Sequence, residues 1–125
     1  MASGAVTSEH LVELYIKRIH LFDRNGPKVG SVLKINPSAL ADARQRDIER
    51  AEGKLRGTLH GIPVLLKDNI ESADPMSTTA GSLALAKNQS NRDAPIVQKL
   101  RAAGAVILGK SNLSEWANIR SNRST

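Results

Sequence analysis

The chain has 125 residues and carries 18 Lys and Arg against 12 Asp and Glu, a net charge of +6. It contains no cysteine, which excludes disulfides, thiolate catalysis and cysteine-based zinc sites. Its basic residues alternate with acidic ones and its only aromatic residues are Tyr15, Phe22 and Trp116, so nucleic-acid binding is not expected.

The first predicted element is a helix capped by Thr7 or Ser8 and ended by the sequence of residues 23–27. Five apolar side chains at helical spacing are predicted to face the core: Leu11, Leu14, Tyr15, Ile19 and Phe22. A short extended segment around residues 31–35 follows. A second helix is predicted to begin after Asn36-Pro37 and to end at Gly53.

Two apolar runs in the second half, at residues 62–66 and 105–108, predict buried strands. Between them, Asp93 is predicted to cap a helix with Pro95 in its first turn. Two uniformly apolar strands joined through a helix indicate a βαβ unit, so the fold class is α/β with a parallel or mixed sheet. A small sheet leaves a strand edge open, and self-association through that edge is a possible outcome.

The most informative segment is residues 59–70, where an apolar run ends on Lys67 and Asp68. A lysine is a poor proton acceptor in water because its ordinary pKa is ~10.4. Packing of the lysine stem among the apolar residues before it would disfavour the charged form and make it a usable base, whereas the adjacent carboxylate acts in the opposite direction. The alternative is a lysine that reaches solvent or closes a surface ion pair.

Residues 59–70, 76–82 and 93–117 resemble, in the same order, blocks of the amidase signature family. The resemblance implies hydrolysis of a carboxamide, or transfer of its ammonia, by a serine nucleophile, a second serine on a cis peptide and a lysine base. Lys67 is the residue similar to that lysine. The resemblance also implies that the loop after it lines the pocket for a small-molecule amide, with Ser82 and Gly81 as substrate-binding residues.

Both catalytic serines of the family lie downstream, the nucleophile in a Gly-Gly-Ser-Ser-Gly-Gly type loop that this chain does not contain. Residues 118–125 resemble the approach to that loop. We therefore expect residues 1–125 to form a single, incomplete N-terminal portion of an amidase domain that carries the base without the nucleophile and is inactive alone. A non-catalytic, amidase-like binding or regulatory protein is the alternative.

Residues 104–111, Gly-Ala-Val-Ile-Leu-Gly-Lys-Ser, also fit the P-loop pattern, so nucleotide binding is a minor alternative. Their inner residues are predicted to form a strand, however, and a P-loop wraps phosphates as a loop that follows a strand. The histidines, His10, His20 and His60, lack the spacing of metal ligands. We expect no metal and no cofactor.

Neither a signal-peptide pattern at the start nor a run of the ~20 apolar residues that a membrane span needs occurs in the sequence. The sequence therefore predicts no membrane association and favours a cytoplasmic location.

Overall fold

The computed structural model describes Met1 and residues 4–117. Its helices are α1 (Ser8–Arg18), α2 (Ala39–Ala51) and α3 (Pro95–Ala102), and its strands are β1 (Val32–Ile35), β2 (Pro63–Lys67) and β3 (Val106–Ser111). A π-helical segment, Ile19–Arg24, continues α1, and 3₁₀ turns lie at Leu83–Leu85 and Glu115–Ala117. Within the described residues, no helix is both long and apolar enough to cross a membrane.

The three strands form one mixed sheet in the order β1-β3-β2. β3 is central, with β1 antiparallel on one side and β2 parallel on the other. Because α3 follows β2 and precedes β3, these elements form the βαβ unit that the apolar runs predicted. The α/β fold class is confirmed.

A bulge in β3 changes which of its side chains share a face of the sheet. Val64 pairs with Ile107, but the next residue of β2, Leu65, pairs with Gly109. β3 therefore has one extra residue between these two pairs, and the usual alternation of side chains between the faces of the sheet is interrupted there. As a result Lys110, which lies opposite Leu66, is on the same face of the sheet as Ile107.

Gly109 makes this bulge compatible with the neighbouring strand. A Cβ atom built on Gly109 would lie 2.2 Å from the backbone oxygen of Lys34 and 3.1 Å from the Cα of Ile35, both in β1. The first distance is far below any real contact, so only glycine allows β1 and β3 to approach this closely.

The apolar core lies on the two faces of the sheet. One cluster packs the sheet against α1 and α2 and contains Val12, Ile19, Val32, Ala39, Ala43, Val106 and Leu108. The other packs it against α3 and contains Leu66, Met76, Val97 and Ile107. The central strand contributes to both clusters because successive side chains point to opposite faces.

Helix α1 has the predicted N-cap, and of its predicted core-facing residues Ile19 is buried whereas Leu14, Tyr15 and Phe22 are exposed. Thr7 Oγ1 accepts a hydrogen bond from the backbone N–H of His10 at 3.0 Å. The helix packs through Val12 and Ile19, whereas Leu14 and Phe22 of the predicted face are each 49% exposed. Val12, which is also at helical spacing from Ile19, replaces the outer residues of the predicted face because it packs against the alanines of α2.

The burial predicted for the two strands is correct for one and only partly correct for the other. Val106 and Leu108 of β3 are 1% and 3% exposed, and Leu66 of β2 is 3% exposed. Ile62 and Val64 are only partly buried. The reason is that β2 lies at the edge of the described sheet and is covered on fewer sides than the central strand.

The predicted cap of α3 is wrong. The residue at the N-cap position is Ala94, and no side chain there accepts from the helix. The carboxylate of Asp93 instead accepts from the backbone N–H of Ala73 at 2.7 Å and from Arg101 Nε at 2.8 Å. Asp93 therefore joins α3 to the loop that follows β2.

Candidate active site

Lys67 is the last residue of β2, opposite Ser111 at the end of β3. Its side chain is exposed, so of the two environments that the sequence left open, a packed stem or a lysine that reaches solvent, the structure shows the second. Strand alternation places Lys67 on the face opposite Leu66, and at this edge strand that face is open, since Leu65 beside it is 39% exposed. Among the described residues, no group hydrogen-bonds or ion-pairs with the Lys67 ammonium.

The backbone around Lys67 is nevertheless held firmly. Its carbonyl accepts from the N–H of Ile70 at 2.9 Å, which closes a turn directly after the strand. The N–H of Asp68 donates to the carbonyl of Ser111 at 3.1 Å and so extends the pairing with β3 by one residue. The strand end that carries the lysine is therefore fixed to the central strand.

Asp68 connects this strand end to the hydroxyl-rich loop at residues 77–82. Its side chain is 1% exposed and accepts from the backbone N–H of Thr79 at 3.2 Å and from the Thr79 hydroxyl. Its backbone carbonyl accepts from the N–H of Ala80 at 2.9 Å. A buried carboxylate requires such donors, and here the loop provides them.

Gly81 and Ser82 lie in this loop beside a groove of about 270 Å³. The groove is lined by Leu33, Lys34, Asp68, Thr79, Gly81, Ser82, Leu83 and Ala86. Gly81 has a φ of +74°, and a Cβ there would lie 3.0 Å from the carbonyl oxygen of Leu113, so the turn favours glycine. The structure thus brings Gly81 and Ser82 together with Asp68, whereas Lys67 is not among the residues that line the groove.

A polar network centred on the buried Asp74 anchors the chain just before the hydroxyl-rich loop. Arg101 Nη2 donates to Asp74 Oδ2 at 2.6 Å, and Asn36 Nδ2 donates to Asp74 Oδ1 at 2.9 Å. Asn36 Nδ2 also donates to the carbonyl of Ile107 in β3 at 2.9 Å. The segment between β2 and α3 is therefore tied to the sheet at more than one point.

Sequence reasoning missed the buried role of Lys110. Its side chain has no exposed surface, and its Nζ donates to the carbonyl oxygen of Ile70 and, at 2.9 Å, to Thr78 Oγ1. The signal was present in the sequence, since this lysine comes almost directly after the apolar run at residues 105–108. The P-loop pattern drew attention to the residue but gave it another role.

The geometry does not support the nucleotide-binding alternative. The residues from Val106 to Ser111 form the central strand, as their apolar character predicted, and the lysine of the pattern is enclosed. A P-loop needs backbone N–H groups free to wrap phosphates, and those of a central strand belong to the sheet.

No arrangement for a metal ion occurs within the described residues, where no cluster of three or more His, Asp or Glu side chains is found. His60 is 4% exposed and has a structural role. Its Nδ1 accepts from the N–H of Arg56 at 3.2 Å, and its Nε2 lies 2.8 Å from the carbonyl oxygen of Arg46. These contacts tie the turn before β2 to α2 and to the segment that follows it.

The fold and site together define an α/β protein with a solvent-facing lysine at the carboxyl end of a parallel strand and a hydroxyl-rich loop beside it. A family model described as Amidase matches residues 10–125 of the chain. The chain belongs to the amidase family.

Among solved structures, the peptide amidase from Stenotrophomonas maltophilia is 55% identical, with a TM-score of 0.91, and the match covers 98% of this chain and 25% of that one. A probable amidase of Arabidopsis thaliana is 48% identical over 93% of this chain and 22% of its own length. A glutamyl-tRNA(Gln) amidotransferase subunit from Chloroflexus aurantiacus is 39% identical over 94% of this chain and 23% of its own length. The chain thus spans a quarter or less of the length of these relatives.

Proposed function

We propose that this chain supplies the lysine base of a serine amidase that hydrolyses the C–N bond of a small-molecule carboxamide. Lys67 is the base in this proposal, and Gly81 and Ser82 contribute to the substrate pocket. The observation that carries it is the position of Lys67 at the carboxyl end of β2, where its side chain is solvent-facing. Ligands of α/β proteins bind outside the carboxyl ends of parallel strands.

The proposed chemistry needs a neutral lysine amine beside a serine hydroxyl. In the scheme that the family implies, the amine takes the hydroxyl proton through the second serine while the serine oxygen bonds to the amide carbon. The C–N bond then breaks, the leaving nitrogen takes a proton, and ammonia departs. Water hydrolyses the resulting ester and regenerates the serine.

Hydrolysis is favoured over ammonia transfer by the relative similarity of the known proteins. The chain is 55% identical to a peptide amidase and 39% identical to an amidotransferase subunit. The match covers only about a quarter of either protein, so the proposal names the class of bond and not the particular amide.

The proposal is tested in the protein encoded by the complete reading frame that contains this sequence, assayed for ammonia release from a panel of primary amides. Lys67→Ala should lower the turnover rate by at least ~100-fold, the loss typical of removing a general base. Lys67→Arg should fare no better, since a guanidinium stays protonated. Lys99→Ala, at an exposed position of α3, is the matched control and should keep full activity. Near-normal turnover by folded Lys67→Ala or Lys67→Arg protein would refute the assignment of the base.

The 125-residue chain assayed alone should release no ammonia above the buffer background. An amine base has nothing to activate without a nucleophilic hydroxyl and donors for the oxyanion. A serine-directed fluorophosphonate is a second probe of the same point. Specific labelling of one hydroxyl, together with turnover that Lys67→Ala abolishes, would contradict this prediction. It would show that the chain holds a complete site.

A further inference from the structure

Lys110 is a fully buried lysine whose role the proposed chemistry leaves unexplained. It lies one residue before the end of β3 and opposite Leu66, the residue that precedes Lys67. The bulge at residues 108–109 directs it to the face that carries Leu66 and Ile107, away from the face of Lys67. A lysine is rarely enclosed in this way unless its ammonium has partners.

The two hydrogen-bond partners of Lys110 lie in two segments that Asp68 also connects, the turn after β2 and the hydroxyl-rich loop. Its Nζ donates to the carbonyl of Ile70, the residue whose N–H closes the turn onto the Lys67 carbonyl. It also donates to the hydroxyl of Thr78, whose neighbour Thr79 binds the carboxylate of Asp68. One ammonium therefore joins the turn after Lys67 to the loop that holds Gly81 and Ser82.

The charges around Lys110 are consistent with a fixed, enclosed cation. Burial lowers the pKa of Lys110, and carboxylates oppose that shift, Asp68 most strongly and then Asp74, Glu71 and Asp93. Asp68 Oδ1 is buried and accepts no hydrogen bond from the described residues. Only Oδ2 of the Asp68 carboxylate accepts hydrogen bonds from the described residues. The positive charge of Lys110 helps to compensate the negative charge of this buried group.

We propose that Lys110 is a positioning residue for Lys67, which it serves by clamping the turn at residues 67–70 to the loop at residues 77–80. This inference rests on the proposed function of Lys67 as the base. Lys110 does not touch the reacting atoms in this scheme. It fixes the direction in which the end of β2 presents the amine, and small misplacements of a catalytic group can lower a rate by up to about 100-fold.

The test uses the complete amidase and two ways of breaking the clamp, Lys110→Met and Thr78→Val. Active sites are counted with a fluorophosphonate, so that turnover is expressed per competent site and loss of folded protein does not enter. We expect turnover per site to fall about 10- to 100-fold with KM within about twofold of the parent value. Thr78→Ser keeps the hydroxyl and should restore turnover, and Thr58→Val, at an exposed position, is the matched control.

Three results would overturn the inference. They are parent turnover per site in both clamp variants, a change in KM alone, and failure of Thr78→Ser to restore the rate lost in Thr78→Val. If Lys110→Met does not fold, the Thr78 pair decides. Lys67→Ala measured in parallel separates the two proposals. An active Lys67→Ala protein refutes the assignment of Lys67 as the base. An inactive Lys67→Ala protein, with fully active Lys110→Met and Thr78→Val proteins, refutes only the positioning role of Lys110.

Discussion

The carboxyl ends of β2 and β3 lie side by side in the sheet, yet their two lysines have opposite environments. Lys67 is exposed and without a partner among the described residues, whereas Lys110 has no exposed surface and donates to two oxygens. The difference arises from one extra residue in β3, which sends Lys110 to the face of Leu66. Register, and not residue type, therefore selects which lysine is exposed and which is enclosed.

A side chain at Gly109, where β1 and β3 approach closely, should have the largest effect on the sheet. Gly109→Ala places a Cβ 2.2 Å from the Lys34 backbone oxygen, and backbone cannot yield as a side chain can. We expect a loss of about 3 kcal/mol in the free energy of unfolding, the upper end for overpacking. Urea unfolding followed by circular dichroism measures it.

Gly57→Ala is the control for that experiment, since the nearest atom to its Cβ would be the Ala103 carbonyl oxygen at 3.3 Å. Equal unfolding midpoints for the two variants would show that the close approach of β1 and β3 is not as described.

Replacing each lysine by methionine compares the two environments directly. Lys110→Met leaves the carbonyl of Ile70 and the hydroxyl of Thr78 without their donor, which should lower the free energy of unfolding by about 2 kcal/mol. Lys67→Met removes no described contact and should change it by less than about 0.5 kcal/mol. The same urea experiment measures both, and a larger effect at Lys67 would reverse the comparison.

The pH dependence of stability should also distinguish Lys110. Burial lowers its pKa in the folded state from the ordinary value of 10.5. Between the lowered pKa and 10.5 the unfolded chain binds more protons than the folded chain, so the contribution of this group to stability rises with pH in that window. Below the window both states are protonated and the contribution is constant.

The measurement is the difference in unfolding free energy between the parent chain and Lys110→Met across alkaline pH at constant ionic strength. The parent should gain relative to the variant as the pH rises toward 10.5. Parallel pH profiles would contradict the burial of this ammonium.

The smallest expected effect concerns the open edge of β2, which pairs only with β3 within the described sheet. Leu65 is 39% exposed on this strand. If two copies associate through the edge, Leu65→Lys should weaken the dimer by up to ~5-fold, since like charges across paired strands are unfavourable by about 0.2–1 kcal/mol. Sedimentation velocity over a concentration series measures it.

Leu83→Lys is the control for association, because Leu83 is 78% exposed and lies in a 3₁₀ turn outside the sheet. Equal effects of the two substitutions would mean that the strand edge is not the contact.

Much of the fold was predictable because apolar runs and helix caps are local signals. The runs at residues 62–66 and 105–108 predicted neighbouring parallel strands joined by a helix, and the cap at Thr7 is confirmed. The buried face of α1 was only partly predictable, since Val12 and the outer residues of the predicted face both have helical spacing and only the packing partner selects between them. Asp93 was assigned to a cap because it directly precedes the helix, whereas its carboxylate binds Arg101 and the Ala73 backbone. Those partners are distant in the sequence, so only the folded chain shows them.

The candidate site also has features that the sequence predicted and features that only the structure shows. The amino-acid order alone specified that a lysine ends an apolar strand, that the chain is α/β, and that Gly81 and Ser82 follow in a hydroxyl-rich loop. The exposure of Lys67 and the enclosure of Lys110 became clear only from the packed sheet. A strand sequence specifies alternation but not register, and the extra residue in β3 that places Lys110 opposite Leu66 is visible only in the pairing of β3 with β2.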